Sequence, residues 1–183
     1  MLLLDTTGSM NAYASPRGEI PRERVVKESI RNLLRDLGGS VRTVTFAGGK
    51  ANDIGDLRVD TIAQQWNNIV WDGNTLIMPG VSLIYQIYER EFKMAPDGKE
   101  QKLLILIITD GEAEDLSKFE TMLAGVQGMV YVELAVIGYG IDHDDAFKSF
   151  CTIAEKNRHV RVTPFDSKTN PDEIAASLYK MIN

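Results

Sequence analysis

The chain has 183 residues, 44% of them hydrophobic, which suits one domain with a sizeable core and does not call for a second. Its net charge of -6 and pI near 5.0 argue against a nucleic-acid or anionic-membrane surface, since both select clustered Lys and Arg. One cysteine, Cys151, cannot form an internal disulfide, and no Asn-x-Ser/Thr acceptor occurs, so a reducing, cytoplasmic setting is favoured.

Leu2-Leu3-Leu4 is an apolar run without alternation, as expected of a parallel strand covered on both faces, and it leads into Asp5-Thr6-Thr7-Gly8-Ser9. On an extended backbone Asp5, Thr7 and Ser9 point the same way, and Gly8 lets the chain turn between them. Three leucines are too few for the apolar region of a signal peptide, and no run approaches membrane-spanning length, so membrane insertion is not expected. A central strand seldom starts at residue 2. The chain is therefore expected to be one domain, residues 1–183, cut from a larger polypeptide with an initiator Met added.

Asn11 to Glu19 is polar and carries Pro16 and Gly18, which reads as a surface excursion beside the first loop. Pro21 can open a helix in which Val25, Val26, Ile30, Leu33, Leu34 and Leu37 recur at helical spacing. Arg22, Arg24, Lys27, Arg31 and Arg35 fall on its other positions, the expected solvated face, and Gly38-Gly39 ends it. Val41 to Ala47 reads as a strand closed by Gly48-Gly49. Residues 50 to 61 look turn-rich, with a short edge strand at Leu57-Arg58-Val59. Ile62, Trp66, Ile69 and Val70 point to a short helix before Asp72-Gly73-Asn74-Thr75, a turn that delivers a hydroxyl.

From Pro79 the positions Val81, Ile84, Ile87, Tyr88 and Phe92 are helical, up to Ala95-Pro96-Asp97-Gly98. Residues 103 to 108 form a second buried apolar run, ending in Thr109-Asp110-Gly111. The pattern then predicts a helix at Asp115 to Ala124, a strand at Val130 to Ile137, a helix at Asp144 to Glu155, a short strand at Val160 to Val162 and a last helix at Pro171 to Ile182. The alternation implies right-handed parallel crossovers. It predicts an α/β fold of three layers, a doubly wound, mostly parallel central sheet with helices on both faces. If the strands ending at Asp5 and Asp110 are neighbours, both acids lie at the sheet's carboxyl edge, where such sheets bind ligands.

Asp5-Thr6-Thr7-Gly8-Ser9, then Thr75 after its turn, then Thr109-Asp110-Gly111 resemble the three parts of the metal-ion-dependent adhesion site of von Willebrand factor A domains, also called integrin inserted domains. That family usually has Ser where Thr7 stands, a change that keeps the oxygen donor. The resemblance implies a Rossmann-like fold and a metal site made of Asp5, Thr7, Ser9, Thr75 and Asp110. In it Thr7 and Ser9 bind directly, Thr75 directly or through water, and Asp5 and Asp110 mainly through water. Carboxylates and hydroxyls without His or Cys suit a hard cation, Mg²⁺ first, with Mn²⁺ or Ca²⁺ possible. Neutral direct ligands leave the cation's charge poorly balanced, so the family implication is binding of a protein partner that presents an Asp or Glu carboxylate. It also implies a last helix, residues 171 to 182, able to shift between two affinity states.

Other readings remain open. Strand-end aspartates and Thr75 can merely cap turns and helices, and Glu112, Glu114 and Asp115 can serve the dipole of the helix that follows. A Mg²⁺-dependent phosphotransferase of the haloacid-dehalogenase type also starts from an Asp at the first strand end, but needs a second Asp where Thr7 stands. A scaffold with an unused metal site is a third reading. Nicotinamide and P-loop fingerprints are lacking, and catalysis is not expected. His143 and His159 are given no role, and Cys151, Trp66 and Trp71 are expected to serve packing.

Overall fold

The computed structural model describes residues 1–11, 20–111, 113–126, 130–137, 145–165 and 169–182. The chain runs β1 (Leu2–Asp5), a 3₁₀ turn (Gly8–Asn11), α1 (Arg22–Leu37), β2 (Val41–Ala47), β3 (Lys50–Leu57), α2 (Ile62–Asn67) and α3 (Met78–Ile87). A π-helical turn (Tyr88–Phe92) extends α3, and then come β4 (Leu103–Thr109), α4 (Leu116–Gly125), β5 (Val130–Ile137), α5 (Asp145–Lys156), β6 (Val160–Phe165) and α6 (Pro171–Ile182).

The six strands form one sheet in the order β3-β2-β1-β4-β5-β6, parallel except for the edge strand β3. Apolar runs without alternation build its centre because both faces are covered. Leu3, Ile105, Ile107, Val132 and Leu134 pack toward Val81 and Ile84 of α3, Phe119 of α4 and Phe150 of α5. Their sequence neighbours Leu2, Leu4, Leu106 and Ile108 pack toward Val26 and Ile30 of α1, Ile62 of α2 and Ile174 of α6. Period-two alternation thus sorts adjacent residues into two separate cores, and the three-layer fold follows.

Three elements differ from the sequence expectation. Residues 50–57 are a full strand rather than a turn-rich stretch, antiparallel to β2 with Ala47 opposite Lys50. Gly48 and Gly49, at φ 55° and 73°, form the two-residue turn whose twist suits a hairpin. The polar composition of Lys-Ala-Asn-Asp-Ile-Gly-Asp hid this strand, since an edge strand can leave most of its side chains in water. Residues 58–61 form a turn leading to α2, and Val70 is 77% exposed rather than packed. The last strand runs on to Phe165, three residues beyond the expected end.

Among the described residues no helix is long and apolar enough to cross a membrane. His143, Asp144, Glu112 and residues 12–19 lie outside the described residues. His159 stands edge-on to Tyr131, with ring centroids 5.0 Å apart. Cys151 is half-buried, and burial pushes its thiol above the ordinary range, as expected of a packing residue rather than a reactive one.

Candidate metal centre at the carboxyl edge of the sheet

After β1 the chain crosses to β2 on one side, and β4 pairs with β1 on the other, so the strand order reverses between β1 and β4. Open α/β sheets form a crevice at such a reversal. The register Leu4 opposite Ile108 brings the two strand ends level, and Asp5 and Thr109 then meet across the gap. Thr109 Oγ1 donates to Asp5 Oδ2 at 2.6 Å, and the Thr7 amide donates to Asp5 Oδ1 at 2.9 Å.

All five residues singled out by the sequence lie at this edge. Thr7 Oγ1 is 3.0 Å from Ser9 Oγ, and Thr75 Oγ1 donates to Thr7 Oγ1 at 3.3 Å. Asp5, Thr7, Thr75 and Asp110 are buried and Ser9 is partly exposed. Burial first, and then the like charge of Asp110, pushes the Asp5 carboxyl up to about 6, against hydrogen bonds from Thr109 and Thr7 that favour its ionised form. Asp110 Oδ1 is buried and has no hydrogen-bond partner among the described residues. Two close carboxylates, one with an unmatched oxygen, beside three linked hydroxyls form a donor set that fits a hard cation. Among the described residues no three His, Cys, Asp or Glu gather to hold a metal, so an ion at this edge would depend on the hydroxyls.

The loop carrying Thr75 is held by backbone contacts. Gly73 sits at φ 87°, and a Cβ there would lie 2.7 Å from Gly48 Cα and 2.8 Å from Gly48 N. The Gly48 amide donates to Asn74 O at 2.9 Å, the Gly8 amide to Gly73 O at 3.4 Å and the Glu114 amide to Thr75 O at 2.9 Å. These bonds tie the hairpin turn, the first loop and the segment after β4 to a single strand of chain. Beside Ser9 and Thr75 opens a cleft of about 480 Å³, with Asn74, Glu114, Leu116 and Asp145 also on its walls.

By sequence, no family model and no curated protein matches the chain. By structure it is similar to a von Willebrand factor type A protein from Catenulispora acidiphila, with 17% identity over 98% of this chain and 40% of that one, and a TM-score of 0.66. The chain thus spans well under half of that protein's length. It is also similar to the VWA domain of SpRpn10, with 12% identity over 97% of this chain and 93% of that one, and a TM-score of 0.71. The fold is that of von Willebrand factor A domains. A third such structure is the manganese-loaded TRAP protein of Plasmodium vivax, with 14% identity over 100% of this chain and 70% of that one, and a TM-score of 0.64.

Within this von Willebrand factor A fold, two residues at the edge have roles that sequence reasoning missed. Asp115 does not cap its own helix α4. Its Oδ1 and Oδ2 accept the Ile77 and Met78 amides at 2.8 and 3.0 Å, which caps the start of α3 just after Thr75. Arg22 is not on the solvated face of α1. Its Nη1 donates to Ser9 O at 3.0 Å and lies 3.6 Å from Asp110 Oδ2. Neither contact leaves a local signal, because each partner is far away in sequence. Glu114 accepts from Asn74 Nδ2 at 3.2 Å, so it braces the Thr75 loop.

Proposed function

We propose that this chain is a metal-dependent protein-binding module, with a divalent cation, Mg²⁺ first, held at the carboxyl edge by Asp5, Thr7, Ser9, Thr75 and Asp110. The observation that carries the reading is the convergence of three hydroxyls and two buried carboxylates between β1 and β4, with Asp110 Oδ1 unmatched. Bound there, the cation would supply positive charge to an anionic group. The hydroxyls of Thr7, Ser9 and Thr75 are neutral, so a partner's Asp or Glu carboxylate gains a strong ionic contact by completing the shell. The manganese-loaded state of the Plasmodium vivax protein supports a divalent ion in this fold. Thr7, where a haloacid-dehalogenase-type enzyme needs a second acid, is engaged with Ser9 and Thr75, which favours binding over phosphoryl transfer. The single cysteine keeps the cytoplasm as the proposed setting.

The test is thermal unfolding of the metal-stripped chain with and without Mg²⁺, beside Asp5→Ala and Asp110→Ala. Saturation at about 100 times Kd should add roughly 2.7 kcal/mol, a rise on the order of 5 to 10 °C at this chain length. Both variants should lose the rise. A parent that shows no rise with Mg²⁺ or Mn²⁺ would reduce the cluster to a hydrogen-bonded strand-end cap and end the metal reading.

A further inference from the structure

Arg22, the first residue of α1, reaches the same edge and is poorly matched there. Its side chain is 17% exposed and that of Asp110 3%. A guanidinium ordinarily meets a carboxylate through two parallel N–H···O bonds. Here Nη1 gives its hydrogen bond to Ser9 O and stands 3.6 Å from Asp110 Oδ2, while Arg22 Nε and Asp110 Oδ1 are both buried without a hydrogen-bond partner among the described residues. Arg22 thus offsets the charge of Asp110 without claiming both of its oxygens.

We propose that Arg22 is a resident counter-cation of the site, one that competes with a divalent metal for Asp110 and sets how tightly the metal is held. The proposal rests on the metal reading above. A dication held among the hydroxyls would draw on the same carboxylate as the guanidinium, and the two like charges would repel each other. Compared with a neutral residue at that position, Arg22 adds one positive charge to the loaded site, beside the acids Glu114 and Asp145 on the cleft wall. That added charge favours an anionic group on a partner over a neutral one. A purely fastening role for Arg22, through Ser9 O, demands the opposite sign, because its removal would then loosen the Ser9 turn and weaken metal binding.

The experiment is calorimetric titration of Mn²⁺ into the parent chain and into Arg22→Gln, Arg22→Met, Arg22→Lys and Asp110→Asn, with folding of each checked by circular dichroism. The two neutral variants should bind Mn²⁺ tighter than the parent by on the order of tenfold, and Arg22→Lys should stay near the parent. Arg22→Met keeps the aliphatic stem and serves if Arg22→Gln does not fold. Neutral variants that bind Mn²⁺ no tighter than a parent which does bind, with Asp110→Asn impaired, overturn the role of Arg22 and leave the metal reading standing. A parent and neutral variants that all fail to bind Mn²⁺ overturn both.

Discussion

Replacing Asp115 by Ala should destabilise the fold and loosen the edge at once. Asp115 is 7% exposed, and its two oxygens accept the amides of Ile77 and Met78 at 2.8 and 3.0 Å. Ala leaves both donors without an acceptor. A hydrogen bond to a charged group contributes about 1.5 to 3 kcal/mol, and an orphaned buried donor costs about 1 to 3 kcal/mol. The Ile77 bond is buried and bears the larger share, while water can partly replace the Met78 bond, which is only part-buried. Together they come to about 3 kcal/mol, or a fall in Tm of roughly 6 to 12 °C at this chain length. Asp115→Asn keeps the shape but offers one acceptor oxygen, so it should lose about half as much. Urea unfolding of the three proteins, followed by circular dichroism, gives the comparison. Thr75 lies two residues before Ile77, so Mg²⁺ affinity should weaken in Asp115→Ala as well. If Asp115→Ala stays within about 1 kcal/mol of the parent, the capping argument fails.

Further outcomes follow from other parts of the molecule. Gly73→Ala forces a Cβ to 2.7 Å from Gly48 Cα at a φ of 87°, and should cost about 2 kcal/mol or more in urea unfolding while also weakening Mg²⁺ binding. Glu133 on β5 is 3% exposed and pairs with Arg161 at 2.5 Å; burial pushes its carboxyl above the ordinary 4.5, and Arg161 only partly offsets this. The folded chain thus keeps that proton where the unfolded chain has lost it. The resulting stability is fully present below 4.5 and is lost as pH rises through the higher folded value. Glu133→Gln should flatten that part of the stability profile, read by urea unfolding from acid to neutral pH; an unchanged slope would remove Glu133 as its source. Trp66→Phe deletes the indole N–H that donates to Glu23 Oε2 at 2.9 Å, joining α2 to α1, and should cost about 1.5 kcal/mol by thermal melting.

The sheet was readable where composition and burial agree. Leu2-Leu3-Leu4 and residues 103–108 are apolar on both faces because both faces are covered, Val130 to Ile137 is so apart from Glu133, and they became β1, β4 and β5. β3 was missed because an edge strand is held by backbone pairing to β2 and needs few apolar side chains. The Gly48-Gly49 turn was the available signal, since two glycines between paired strands mark a hairpin. At the site, Asp5, Thr7 and Ser9 could be read together from their alternate spacing and Asp110 from the pairing of β1 with β4, whereas Thr75, on a turn outside the sheet, was joined to them by the family resemblance. Asp115 and Arg22 could not be read that way. Their partners Ile77 and Ser9 are chosen by how α3, α4 and α1 dock, which no local pattern encodes.

The hydrogen bond between Thr109 and Asp5 joins residues 104 apart in sequence, so the carboxyl edge depends on contact between distant parts of the chain. The β2–β3 hairpin and the helices rest on local contacts and can form early, whereas docking β4 on β1 requires closure of a long loop. Until that docking is made, nothing in the chain brings the two carboxylates together. Recovery of metal binding during refolding should therefore lag behind recovery of helical signal, and the edge reports whether folding has run to completion.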